Sequence, residues 1–310
     1  MSIAPPLPDL TKLAASDLRG DLDLSPVELI RLMDLAAQVK RDPASFSKAL
    51  AGRYLTLLFE KPSLRTRFTF ELAIQQLGGG SVTQVGPIGD REPLKDIARN
   101  LDRWTHVIVA RVFSQQTIED LATWSSVPVI NALSDVYHPC QALADAQTIR
   151  ERFGRWEGVK LAYIGDGNNV AHSLLLTAGR LGVRIAVAAP EGYLPSPDVT
   201  AAAHAAGVDF TLTNDPGEAA AGAHVLYTDV WASMGQESEA LERQRIFAPY
   251  QINESLLGSA DPAAIFLHCL PAKRGQEVTD AIMESPQSAI FDQAENRLHA
   301  QKALLLLLLR

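Results

Sequence analysis

Short apolar runs alternate along this chain with longer stretches whose apolar residues recur at helical spacing. The run Tyr54-Leu55-Thr56-Leu57-Leu58-Phe59 is flanked by polar residues and reads as a buried strand. By the same criteria, strands are predicted at 54–59, 107–112 and 127–132, with helices at 26–40, 63–77, 93–102, 115–124 and 141–153. Further along, strands are predicted at 159–164, 183–189, 208–213, 223–228 and 264–268. Helices are predicted at 169–181, 198–206 and 279–285, with a last one from about 293 to 309. Strands alternating with helices are the pattern of a parallel sheet flanked by helices, so the predicted class is α/β. The polar, turn-prone stretch Phe153-Gly154-Arg155-Trp156-Glu157-Gly158 marks a join. Two domains are therefore expected, 1–150 and 151–292, each a mostly parallel sheet flanked by helices, with the active site in the cleft between them. The helix 293–310 is expected to pack back on the first domain.

Composition narrows the picture in three places. A length of 310 residues is too long for one small core and comfortable for two domains. A formal net charge of −8 argues against a general nucleic-acid binder, which would show a basic face, although it leaves room for a local cationic pocket at Arg65 and Arg67. Two cysteines, Cys140 and Cys269, are too few for a disulfide framework, which points to a reducing, cytoplasmic setting. The first residues lack a basic region followed by a long apolar run, so no signal peptide is expected. Leu304–Leu309 falls far short of a bilayer crossing and reads as part of a buried helix, so no membrane partner is expected.

Candidate chemistry collects where predicted strands end. Glu60-Lys-Pro-Ser-Leu-Arg-Thr-Arg-Phe-Thr-Phe-Glu71 places hydroxyls and two arginines where a strand gives way to a helix. A helix N-terminus offers unsatisfied N–H groups and a positive dipole end, and arginine adds a planar fork that matches phosphate oxygens two at a time. The alternative there is an N-cap serine with solvated basic residues. In His138-Pro139-Cys140-Gln141, His138 can donate to a carbonyl oxygen and Gln141 can both donate and accept; alone, a His-Pro pair is more often a turn. Arg111 ends the strand 107–112, where a structural ion pair is an equal reading. The turn Gly165-Asp166-Gly167-Asn168-Asn169 lacks the G-x-G-x-x-G of dinucleotide binders, which disfavours a nicotinamide cofactor, and Asn169 serves either as a helix cap or as a polar ligand group. Asp229 and Ser233, in Asp229-Val-Trp-Ala-Ser-Met-Gly235, suit an ammonium and a carboxylate, or close a loop by Asx-type bonds. His268 and Cys269 are neighbours at a strand end, so their side chains point to opposite faces and a Cys–His nucleophilic pair is disfavoured. Paired metal-ligand spacing is also lacking. Glu295-Asn296-Arg297 brings one more cation at the start of the last helix.

In this order, Phe59 to Arg67, His138 to Gln141, Asp229 to Gly235, His268 to Pro271 and Glu295 to Arg297 resemble the aspartate/ornithine carbamoyltransferase family. The resemblance runs from about Leu18 to Leu308, and the Ser-Met-Gly and His-Cys-Leu-Pro segments are similar to its ornithine branch. It implies a carbamoyl phosphate-binding first domain, an ornithine-binding second domain, a homotrimer or a multiple of one, and no metal or organic cofactor. It further implies arginine biosynthesis and the transfer of a carbamoyl group to the δ-amine of L-ornithine, giving citrulline and phosphate. Ser63, Leu64 (through its backbone), Arg65 and Thr66 would hold the phosphate. Arg111, His138 and Gln141 would bind the carbamoyl end, with Arg297 and the Cys269-Leu270 backbone completing that pocket. Asn169, Asp229, Ser233 and Met234 would bind ornithine, with Asp229 and Cys269 facing its side-chain amine, and the Leu270–Pro271 bond would be cis. Arg111, His138, Asp229 and Cys269 would carry the catalytic roles. Two departures stand out: the family's Ser-Thr-Arg-Thr-Arg reads Ser-Leu-Arg-Thr-Arg here, and the segment 85–92 is shortened, without the glutamine that would reach a neighbouring subunit. Rival readings are the same transfer to acetylornithine or putrescine, and a catalytically silent carbamoyl phosphate binder.

Overall fold

The computed structural model describes residues 9–232 and 239–310, in two compact units. The first comprises the chain up to Ser134 together with Arg297–Arg310, and the second comprises Asp135–Asn296.

The first unit begins with α1 (Pro26–Arg41), whose start is a reciprocal cap: the Ser25 hydroxyl accepts from the Glu28 N–H, and the Glu28 carboxylate accepts from the Ser25 N–H. There follow β1 (Tyr54–Phe59), α2 (Arg65–Gln76), β2 (Gly80–Val85), α3 (Leu94–Trp104), β3 (Val107–Arg111), α4 (Gln115–Trp124) and β4 (Val129–Leu133). The strands form one parallel sheet in the order β2-β1-β3-β4. β1 and β3 are apolar almost throughout because helices cover both of their faces. β2 is a further strand that no apolar run announces: it is an edge strand of mixed, partly exposed residues. The turn into it needs glycine, since Gly78 has φ of 91° and a Cβ there would meet the Ser47 carbonyl oxygen at 2.9 Å.

The second unit holds α5 (Pro139–Phe153), β5 (Lys160–Ile164), α6 (Asn169–Thr177), β6 (Arg184–Ala188), α7 (Pro197–Ala205), β7 (Phe210–Thr213) and α8 (Pro216–Ala220). After these come β8 (Val225–Thr228), α9 (Ala240–Phe247), α10 (Glu254–Ser259), β9 (Ile265–His268) and α11 (Asp280–Met283). The last helix, α12 (Ile290–Leu309), belongs to this unit up to Asn296 and to the first from Arg297 onward. The second sheet is parallel throughout, in the order β7-β6-β5-β8-β9. Tyr163 of β5 and Tyr227 of β8 are register partners whose rings stack at 5.7 Å inside its core. α5 is tied into this unit by Asp145, Thr148 and Ala146, which bond Tyr227, Asn296 and the Trp156 indole respectively. The predicted strands and main helices are present. The short helices α8, α9 and α10, like β2, add to the expected pattern. Among the described residues no helix is long and apolar enough to cross a membrane.

In each sheet the strand order reverses direction once, between β1 and β3 in the first and between β5 and β8 in the second. Connections leaving such a pair diverge to opposite sides, which opens a crevice at the carboxyl ends of the strands where ligands of open α/β sheets bind.

Candidate active site

In the first unit, the switch point collects the β1–α2 connection and the end of β3. α2 begins at Arg65, two residues later than the sequence pattern predicts, and Leu64 occupies the cap position with no side-chain hydrogen bond to the first turn. Ser63 is therefore not the helix cap, and the first-turn N–H groups keep the anion-binding character of an uncapped helix start. Leu64 is 65 % exposed, so its side chain takes no part in the core and contributes backbone alone. Thr66 is buried, and its hydroxyl accepts from Arg297 Nη2 at 2.6 Å. Arg111 is the last residue of β3, and the register against β4 shifts between Ala110 and Arg111, an irregularity that re-aims the side chain following it. Its carbonyl accepts from the Glu60 N–H at 2.9 Å, and the Glu60 carboxylate accepts from the Phe113 N–H at 2.7 Å, which ties the two connections together. Arg67 departs from the expected cationic pair with Arg65. Its guanidinium runs along α2 to Glu71 at 3.6 Å and lies over the Phe68 ring.

In the second unit, the switch point gathers Asn168, Asp229 and Cys269. Gly167 lets the β5–α6 turn pass close to the Leu194–Pro195 backbone; a Cβ there would lie 2.3 Å from the Pro195 nitrogen. Asn168, not Asn169, caps α6: its Oδ1 accepts from the Val170 and Ala171 N–H groups and from the Tyr163 hydroxyl. With that oxygen so engaged, Asn168 Nδ2 donates to Asp229 Oδ2 at 2.8 Å. Asp229 Oδ1 accepts from the Cys269 thiol at 2.9 Å and from the Val230 N–H at 2.8 Å. Asn169 is the first helical residue, half-buried beside this cluster in sequence. Ser233 and Met234 lie outside the described residues.

The turn after β9 has a fixed backbone. Leu270 has φ of 59° and the Leu270–Pro271 bond is cis, as the resemblance implied. His268 Nδ1 accepts from the Leu270 N–H at 2.8 Å, which leaves the ring proton on Nε2, facing the buried Glu277 carboxylate at 3.3 Å. Asp229, His268 and Cys269 each present a metal-ligand atom type within 4.8 Å of one another. Both ring nitrogens of His268 are taken up by Leu270 and Glu277, while Asp229 and Cys269 are hydrogen-bonded to each other, so these atoms already have partners within the protein. At the start of α5, the buried His138 donates its N–H to Ser173 Oγ at 2.8 Å, and Gln141 Nε2 donates to Asp145 Oδ1 at 2.8 Å.

Burial sets the electrostatics here. It pushes the Tyr163 and Tyr227 hydroxyls well above the ordinary tyrosine range, with Asp229 adding to the first and Asp145 to the second, so both stay protonated donors. Burial also raises Asp166 to about 6, against the pull of Arg243, while Asp229 and Glu239 push the same way as burial. His172 is held neutral: burial lowers it, Nδ1 donates to the Val136 carbonyl and Nε2 accepts from the Ser196 N–H.

The first unit thus offers an anion-binding helix start flanked by arginines. The second offers a buried carboxylate with a thiol and an amide on it, suited to an amine. Sequence reasoning missed Asn168, Tyr163, Asp145, Gln293 and Glu277. For Asn168 the signal was the Asn168-Asn169 pair itself, since either asparagine suits a helix cap.

Two family models match the chain. Residues 17–151 match the carbamoyl-P binding domain of aspartate/ornithine carbamoyltransferase, and residues 157–308 match its Asp/Orn binding domain. Ornithine carbamoyltransferase of Synechocystis is 51% identical over 306 residues, covering 96% of this chain and 97% of that protein. The enzyme of the same name from Thermococcus kodakarensis is 49% identical over 309 residues, covering 97% and 98%. The solved structure of ornithine carbamoyltransferase from Pyrococcus furiosus superimposes with a TM-score of 0.93 at 46% identity, covering 96% of this chain and 98% of that one.

Proposed function

The chain belongs to the aspartate/ornithine carbamoyltransferase family, and from that premise we propose that it transfers the carbamoyl group of carbamoyl phosphate to the δ-amine of L-ornithine, giving L-citrulline and phosphate. The observation that carries the amine half of this reading is the Cys269 thiol on Asp229 Oδ1, with Asn168 holding the other oxygen. A carboxylate so held keeps its charge in a fixed direction and suits the ammonium end of a chain that must lose a proton before it attacks.

Carbamoyl phosphate is a dianion at one end and a neutral amide at the other. Ser63, the Leu64 backbone, Arg65 and Thr66 bind the phosphate at the start of α2, and Arg297 supports the Thr66 hydroxyl. Arg111, His138 and Gln141 take the carbamoyl end, together with Arg297 and the Cys269–Leu270 backbone. Asn169, Asp229, Ser233 and Met234 take ornithine. The neutral δ-nitrogen attacks the carbamoyl carbon and forms the new C–N bond. The oxygen that becomes negative is stabilised by Arg111, His138 and the Thr66 hydroxyl in the manner of an oxyanion hole. Collapse breaks the C–O bond to phosphate, which leaves with the electron pair and takes the amine's proton. Cys269 orients and tunes Asp229 and forms no covalent intermediate. Much of the acceleration comes from holding two substrates in line.

We further propose a homotrimer, or a multiple of one, working in arginine biosynthesis in the cytoplasm. Supporting the assembly, Leu64 at the cap of α2 and Phe68 and Leu72 along it form an exposed stripe at i, i+4, i+8, in the unit whose edge strand exposes Val82 and Val85. Supporting the compartment, Cys140 and Cys269, the chain's two cysteines, are thiols that form no disulfide with each other. The test of function is product identification with ornithine, acetylornithine and putrescine side by side. Citrulline from ornithine alone is expected. Turnover only with another amine would overturn the ornithine assignment, and turnover with none would favour a silent binder.

A further inference from the structure

We propose that Asp145 is a positioning residue that makes the site selective for a carbamoyl group over other acyl phosphates, by fixing which end of the Gln141 amide meets the substrate. The inference rests on the carbamoyl-transfer reading and assigns the part of the site that reads the substrate's –NH2.

Asp145 is fully buried on α5, and three donors converge on its carboxylate. Gln141 Nε2 and Gln293 Nε2 donate to Oδ1 at 2.8 and 2.7 Å, and the Tyr227 hydroxyl donates to Oδ2 at 3.1 Å. A carboxylate only accepts, so Gln141 must turn its NH2 end to Asp145 and its carbonyl oxygen the other way. That oxygen accepts from an –NH2 and repels a group without a proton to give. The same hub reaches the turn after β9: Gln293 Oε1 accepts from the His268 N–H at 2.9 Å, and Gln293 Nε2 also lies 3.0 Å from the Tyr227 oxygen. Gln141, Tyr227, Gln293 and His268 are all buried, so none of them can exchange these partners for water. One carboxylate therefore sets the polarity of Gln141 and, through Gln293, the backbone at His268 that leads into Cys269 and Leu270. Both are groups assigned to the carbamoyl end.

Asp145→Asn undoes this without removing volume. The new amide offers one accepting oxygen for three donors, and where its NH2 faces Gln141 that side chain must reverse. It then presents NH2 to the substrate's NH2. The test is equilibrium binding, by calorimetry, of carbamoyl phosphate and of acetyl phosphate, which carries a methyl group in place of the –NH2. The selectivity ratio is expected to fall about tenfold or more in D145N, with KM for ornithine unchanged. Reversing the polarity of both partners in Q141E/D145N lets the introduced amide donate to one oxygen of the introduced carboxylate and leaves the other oxygen as acceptor. It is expected to restore the ratio to within about threefold of the parent. Q141M, which removes the acceptor, sets the floor, and should D145N not be recovered folded, Q141E/D145N against Q141M decides the same question. Tyr227→Phe removes a donor from Asp145 without touching Gln141, so it should lower the melting temperature and leave the ratio alone. A folded D145N with parental selectivity, a double variant no better than Q141M, or a Y227F that shifts the ratio as far as D145N would each overturn the proposal. Citrulline formation by the parent protein is measured separately, so failure of the parent reaction identifies a fault in the underlying reading, whereas the binding ratios still judge Asp145.

Discussion

Arg297, on the last helix, donates to the hydroxyl of Thr66, on the first turn of α2, across 2.6 Å and 231 positions of sequence. Both side chains are buried. The bond fixes the hydroxyl's direction, because an oxygen that accepts from a guanidinium must aim its own proton elsewhere. Arg297→Leu is expected to cost roughly 1–3 kcal/mol of stability for the orphaned hydroxyl. It should raise KM for carbamoyl phosphate by about tenfold or more, with KM for ornithine within a factor of about three. Steady-state kinetics with each substrate varied, beside a denaturant melt, checks both parts. Equal effects on the two KM values would contradict a local role.

Arg65 stands at the first position of α2, where no side chain caps the helix. Arg65→Ala removes the proposed bidentate partner of the phosphate and leaves Ser63, Thr66 and the helix N–H groups. Carbamoyl phosphate binding, followed by calorimetry, is expected to weaken by about a hundredfold. Arg67→Ala should do far less, because Arg67 pairs with Glu71 along the helix. Unchanged affinity in the Arg65 variant would remove the phosphate assignment.

How much of this was legible beforehand depends on how local each cause is. Apolar strands such as Tyr54–Phe59 and helix starts such as Ser25 announce themselves within a few residues. The clusters at strand ends were legible because parallel sheets put their ligands there. β2 was not, since an edge strand has no need of a continuous apolar run. The capping residue of α6 fell one place from where it was expected, a distinction that turns on which asparagine has extended dihedrals. Nothing local could have shown that Arg297 reaches Thr66, or that Gln141, Tyr227 and Gln293 meet on Asp145. Such contacts join residues far apart in sequence whose types are individually unremarkable in a core.

Cys269 and Asn168 hold the two oxygens of Asp229. Cys269→Ala leaves the charge but removes one of its restraints, so KM for ornithine is expected to rise about tenfold with carbamoyl phosphate binding unchanged. Asp229→Asn removes the charge itself and should lower kcat/KM for ornithine by about a hundredfold or more. Retained activity in the alanine variant also tests the chemistry, because a covalent role for the thiol would abolish turnover.

Asp166 provides a pH signature. Its folded-state pKa is raised to about 6 by burial, while the unfolded chain titrates near the ordinary 3.8. Between those values the native state binds the proton and the unfolded state does not, so this group's contribution to stability falls as pH rises. The shift of about two units corresponds to on the order of 3 kcal/mol at most. The Arg243 guanidinium pulls only on the ionised form of Asp166, so its effect is already contained in the value of about 6, and any packing difference in D166N adds an offset independent of pH. The expected result is therefore a slope: from pH 4 to 6.5 the parent loses stability relative to D166N, and above pH 7 the difference is flat. Parallel stability curves would show that Asp166 titrates normally.

His268 is argued to act through its neighbour. Its Nδ1 accepts from the Leu270 N–H at 2.8 Å and its Nε2 donates to Glu277, so an imidazole of one tautomer holds a backbone group assigned to the carbamoyl pocket. Asparagine places its Oδ1 where Nδ1 sits and makes the same bond to the N–H two residues on, whereas leucine cannot. Both variants lose the contact with the buried Glu277 carboxylate, and both should be destabilised, by roughly 1–3 kcal/mol. They should part in kinetics. His268→Leu frees the Leu270 N–H and is expected to lower kcat by about tenfold or more, whereas His268→Asn should recover most of that loss at similar stability. Equal kcat in the two variants would mean that His268 serves the core alone, and that the turn at Cys269–Leu270 is held by Gln293 and the surrounding backbone instead.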